Sequence, residues 1–142
     1  MKTREERFDS FQYWLMDMRD ALSRIHDTLP KEISEKLDYS VKSLDILENW
    51  ILEQYPTTQA ILAQEESRKV DGYARYVGET FRKYLGGKWI IELDNPKHAF
   101  YNLPEIKSEF FRDCPLSFVI ASTDRRTGHY ISDILKNFID SE

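Results

Sequence analysis

The 142-residue chain has a single cysteine, Cys114, only five glycines, five prolines and three histidines, and neither an excess of basic charge nor a long apolar run. Each scarcity excludes something. A lone cysteine cannot close an intramolecular disulfide, so a disulfide-stapled secreted scaffold is excluded and a reducing compartment is expected. No apolar stretch approaches the roughly 20 residues that cross a bilayer. The opening MKTREERF leads straight into a charged amphipathic pattern, so no signal peptide is expected and the location is read as cytoplasmic. His26, His98 and His129 are isolated from one another and from any acidic cluster at metal-ligand spacing, which leaves no expected metal or cofactor. The net charge of −5 is uneven: Met1 to Glu66 holds 8 Lys and Arg against 14 Asp and Glu, and the remainder is nearly balanced. A nucleic-acid binder needs a basic stripe that displaces counterions from phosphates, so that class is excluded. An acidic half suits solubility or a basic protein partner.

What is present is a 41% hydrophobic, 13% aromatic chain, enough to bury one core and too short for two ordinary domains. One domain is expected over 1–142, with acidic N-terminal helices in 1–56 packed on a helix, hairpin and helix part in 57–142. Phe8, Phe11, Leu15, Met18, Leu22 and Ile25 recur at spacings of three and four, which predicts a helix from about Arg4 to about Thr28, ended by Pro30. Ile33, Leu37, Val41, Leu44, Leu47 and Ile51 predict a second helix to about Gln54, stopped by Pro56. Thr57 or Thr58 caps a third pattern that either breaks near Ser67 or runs on into the stretch from Gly72. There Tyr73, Tyr76, Val77, Thr80, Phe81, Tyr84 and Leu85 share one face, and Arg75, Glu79, Arg82 and Lys83 the other.

Gly86 and Gly87 end that helix, because glycine reaches a left-handed cap without a Cβ penalty. The order helix, glycines, strand is the reverse of a phosphate-cradling loop. Lys88 to Asp94 reads as a short strand before an Asp94-Asn95-Pro96 turn, with Ala99 to Asn102 as its antiparallel partner and Pro104 confining that partner to an edge. Leu116 to Thr123 is a strand by residue type and a helix by Pro115 at a first helical position. Ile131, Ile134, Leu135, Phe138 and Ile139 predict a final helix after Gly128. The fold class is therefore α+β and mostly helical, with N-terminal helices, a small antiparallel hairpin and C-terminal helices.

Candidate chemistry is sparse. Cys114 before Pro115 would place a thiol at a positive helix end, with His98 or His129 as base, and a small buried hydrophobe is the competing role. Glu79 as a general base competes with ion pairing to Arg75, Arg82 and Lys83 within helical reach. Asp124-Arg125-Arg126 is a solvated turn or an anion clamp. Gly72 and Gly78 within a helix each call for close packing of another element. Glu32, Glu35 and Asp38 mark the acidic outer face offered to a basic partner, and Tyr13 and Tyr39 are expected to be exposed aromatics suited to interface hot spots.

The stretch Tyr73–Trp89, with Gly78-Glu79, Arg82 and Gly86-Gly87-x-Trp89, followed by Pro115-Leu116 and by Leu135 with Phe138, resembles a motif of small uncharacterised bacterial proteins, some of them immunity-type inhibitors of toxins. The resemblance spans about half the chain and does not reach the first 56 residues. The leading reading, from the charge asymmetry and the exposed aromatics, is a cytoplasmic protein-binding module, with an immunity-type inhibitor of a basic toxin domain as its specific form. A small hydrolase or transferase using Cys114, and a structural subunit of a homo-oligomer, are the alternative readings.

Overall fold

A computed structural model describes residues 1–141. The described chain is mostly helical: α1 (Arg4–Met16), α2 (Met18–Thr28), α3 (Lys31–Ser34), α4 (Val41–Gln54), α5 (Thr58–Ile61), a 3-10 turn at Gln64–Glu66, α6 (Ser67–Leu85), α7 (Pro115–Arg125) and α8 (Tyr130–Ser141). Between α6 and α7 lies an antiparallel sheet in the order β1 (Lys88–Ile91), β2 (Pro104–Lys107), β3 (Arg112–Asp113). The α+β, mostly helical class expected from the residues is the class observed.

The centre of the molecule is α6, whose Tyr73, Tyr76, Val77 and Phe81 are buried as their 3.6-residue spacing predicts. Helices α2, α4, α7 and α8 and strand β2 all pack against it. The core contains Phe11, Ile25, Leu44, Ile51, Trp89, Val119 and Leu135, so both halves of the chain contribute to one apolar cluster. The helix ends at Leu85, and Gly86 and Gly87 turn the chain at φ +72° and +92°. Trp89 follows in β1 at 8% exposure.

Several expected boundaries are corrected. The helix over Arg4–Thr28 is broken at Asp17. The Trp14 carbonyl, one turn before Met18, accepts from Arg75 Nη1 at 2.8 Å, and a side chain inserted into a helical ladder is a recognised cause of a break. The helix over Ile33–Gln54 is likewise two. Leu37 is buried between them, Tyr39 takes φ +61°, and its N–H donates to Tyr76 Oη at 2.8 Å. The Ser40 hydroxyl then accepts from Ser43 N and opens α4. The third pattern kinks rather than runs straight, through α5 and the 3-10 turn into α6.

The partner of β1 is Pro104–Lys107, not Ala99–Asn102. Residues 92–103 form a loop closed on itself: Glu92 Oε2 accepts from Asp94 N and Asn95 N, and Asn102 N donates to Glu92 O. Pro104 does not confine β2 to an edge: β2 is the middle strand, and Pro104, which has no N–H, stands at its first residue, beyond the Ile106–Lys107 stretch that pairs with β3. A two-residue β3 extends the expected hairpin to three strands. Pro115–Arg125 resolves its ambiguity as a helix, with proline in the first turn. Arg75, expected on the charged outer face of α6, is 3% exposed.

Candidate functional site

The buried Arg75 locates the site. Its Nε donates to Asp71 Oδ2 at 2.7 Å, one helical turn back, and its guanidinium lies 4.1 Å from the centre of the Trp14 ring. The Trp14 indole N–H donates to the other carboxylate oxygen, Asp71 Oδ1, at 2.8 Å. Asp71 therefore links α6 to α1 and neutralises the buried cation. Trp14 in turn meets Trp89 edge-on, the rings 4.8 Å apart at 78°. The Trp89 ring lies flush on α6 because Gly78 has no side chain: a Cβ there would overlap ring atoms Cζ2 and Cη2. The Trp89 N–H donates to Glu79 Oε2 at 2.9 Å, and Arg82 binds the same carboxylate at 2.9 Å.

Both indole N–H groups are thus satisfied inside the protein, and the two rings turn only apolar surface toward a half-open cleft of about 310 Å³. Ile61 and Leu62 of the α5 corner and Leu116 and Ile120 of α7 form its walls, with Asp71 and Ser67 as the polar groups. The size and lining match those of small-molecule and side-chain pockets. Leu62 stands on the lip at 59% exposure, and on α1 Tyr13 and Met16 are also largely exposed.

The candidates singled out from the sequence are dispersed. Glu79 supports Trp89 and Arg82 and also lines a shallow groove with Asp38, Tyr39 and Lys83. Arg75 pairs with Asp71, not with Glu79. Glu32, Glu35 and Asp38 are all exposed, as expected of an outer face. Lys31 pairs with Glu35 at 3.8 Å, and hydrogen bonds from Ser40 hold the Asp38 carboxyl below its ordinary range. Tyr39, expected to be exposed, is instead half-buried because it stacks on the buried Tyr76, the rings 4.6 Å apart. Of the remaining acids in the first half, Glu48 is fully buried and accepts from the N–H groups of Tyr130 and Ile131, and Asp45 accepts from Ser132.

Cys114 has no exposed surface, and burial pushes its thiol up to about 11. The burial effect outweighs the positive end of α7, so no thiolate is favoured at neutral pH. His98 is bonded to the buried Glu105 at 3.0 Å, a carboxylate that Arg112 also holds, and His129 to Asp133 at 2.6 Å. Neither is hydrogen-bonded to the thiol. Arg126 donates to the carbonyls of Leu52, in the last turn of α4, and of Tyr55, just beyond it, rather than to an anion. Among the described residues no group of three or more His, Cys, Asp and Glu side chains is arranged to hold a metal ion.

Neither Trp14 nor Asp71 stands out as a site residue in the sequence. The spacing of Asp71 and Arg75 was a visible signal, being a helical ion pair at i, i+4. Its connection to Trp14, 57 residues away, had no local signal. Comparison with protein-family models, curated proteins and solved structures yields no match to this chain.

Proposed function

We propose that this protein is a protein-binding module that seats an apolar side chain of its partner in the Trp14–Trp89 cleft. The observation that carries the reading is the cleft itself: apolar walls, both tryptophan N–H groups satisfied internally, and an uncovered Leu62 at the lip. A well-packed pocket filled by an anchor side chain of a partner is where interface energy concentrates. The acidic first half favours a basic partner by steering its approach. The immunity-type inhibitor implied by the resemblance is the specific form of this reading, with a basic toxin domain as the partner.

The test is affinity capture from the source cells with the parent and with Leu62→Glu. Leu62 is exposed, so the variant retains its fold, which a matching thermal melt verifies. A partner retained by the parent and lost by the variant supports the reading. Equal recovery by both overturns it, and concentration-dependent self-association as the sole interaction favours the homo-oligomer instead.

A further inference from the structure

The cleft is selective in chemistry as well as in size. Asp71 is 43% exposed, and each of its oxygens accepts one internal donor, Trp14 Nε1 on Oδ1 and Arg75 Nε on Oδ2. A carboxylate has about four acceptor sites, so acceptor capacity remains. Its charge is already compensated by a guanidinium that is 3% exposed. An incoming ammonium would gain little from the pair and meet Arg75 behind it, and an incoming carboxylate or phosphate would face Asp71 first. What remains is a neutral donor. The apolar walls require that donor to sit on an apolar body, and Trp14 and Trp89, set at 78°, offer a ring both a face and an edge.

Resting on the protein-binding reading above, we propose that the group seated in the cleft is a tyrosine side chain of the partner, its ring against the two tryptophans and its hydroxyl donating to Asp71. A phenol meets each condition: it is neutral at physiological pH, it is planar, and it carries one donor at its tip. Phenylalanine lacks the donor, and lysine and arginine carry a charge that the Asp71–Arg75 pair does not need.

The experiment titrates the intact protein with N-acetyl-tyrosinamide, N-acetyl-phenylalaninamide and N-acetyl-lysinamide while following the indole N–H resonances of Trp14 and Trp89. The expected result is that the tyrosine amide shifts both resonances with about tenfold higher affinity than the phenylalanine amide, the ratio of one net hydrogen bond, and that the lysine amide shifts neither. Ile120→Phe, which fills the cleft from a half-buried wall position, abolishes the shifts while leaving the thermal melt near that of the parent. Equal affinity for the tyrosine and phenylalanine amides, or no shift with either, overturns the proposal. Loss of partner capture in Leu62→Glu without any tyrosine preference overturns the proposal alone. A tyrosine preference with capture unaffected by Leu62→Glu overturns the partner reading and leaves the phenol site standing.

Discussion

Gly78 has its effect through what it lacks. The Trp89 indole fills the volume a Cβ would occupy, with Pro115 Cγ 3.2 Å from the same point, so the tryptophan floor of the cleft depends on a missing methyl group. In an open helix, alanine in place of glycine would stabilise by about 1 kcal/mol. Here the clash is with a ring fixed by its hydrogen bond to Glu79, and overpacking costs about 1–3 kcal/mol or more. Gly78→Ala is therefore expected to be destabilising by about 1–2 kcal/mol in urea unfolding and to change the Trp89 fluorescence, opposite in sign to the propensity effect. A more stable variant would mean that Trp89 does not lie on that face of α6. Cys114 shows the same dominance of surroundings over local pattern: its place at the start of α7 suggests reactivity, and its burial makes it a packing residue.

At the scale of elements, α8 is held at its first turn by a residue of α4. The buried Glu48 carboxylate accepts from Tyr130 N at 3.1 Å and Ile131 N at 2.9 Å, two of the donors that any helix N-terminus leaves unpaired. Glu48→Ala orphans both inside the protein. The expected loss is about 2–6 kcal/mol, at about 1–3 kcal/mol for each donor, read as a lower urea midpoint with unchanged slope. His129, just before α8, is paired with Asp133, and the pairing raises its pKa above the ordinary 6.5. The folded state thus binds that proton more tightly than the unfolded chain. Stability from the pair is fully present below pH 6.5 and is lost as pH rises through the raised folded value. An NMR titration of the parent is expected to place His129 above 6.5. Asp133→Asn lowers it, because a cation at the positive end of α8 is then uncompensated. An unchanged His129 titration in that variant would show that the pair does not form in solution.

For the whole molecule, charge and shape act at different ranges. The cleft is a contact feature, whereas the net charge of −6 over Met1 to Glu66 acts on approach. The structure narrows that field only slightly: Glu48 is buried and Asp17 is paired with Arg24, whereas Glu32, Glu35 and Asp38 are exposed on and after α3, as are Glu5, Glu6, Asp9, Asp20, Asp27, Glu53 and Glu65. Changing these three to lysine alters the net charge by +6. The triple variant is expected to fold with stability within about 1 kcal/mol of the parent, because the one ion pair lost is a surface pair. Association with a basic partner should slow severalfold at low salt and converge with the parent rate as salt rises, since charges more than about 8 Å apart are screened at physiological ionic strength. Stopped-flow association rates across a salt series measure this. Equal rates for both proteins at low salt would remove the acidic face from the encounter.

By itself the sequence determined the features that arise between near neighbours. The helical class, the stop at Gly86-Gly87, the strand that starts at Lys88 and the helical final segment all follow from periodicity and cap chemistry within about one turn. Those signals failed where a distant group replaced a local bond. The apolar spacing continues unbroken through Asp17 and through Tyr39, but Arg75 takes the Trp14 carbonyl and Tyr76 takes the Tyr39 N–H, and each contact interrupts a helix that the pattern would have joined. The strand partner was misplaced for a related reason: Glu92 and Asn102 close a loop over the residues that looked extended. The exposed acids Glu32, Glu35 and Asp38 were legible because exposure of charge is a local matter, but the inward turn of Glu48 was not, since its partners lie more than 80 residues away. The cleft was not legible at all. It is formed by Trp14, Leu62, Asp71, Trp89 and Ile120, side chains from three helices, a strand and the corner after α5, and only packing around α6 brings them together.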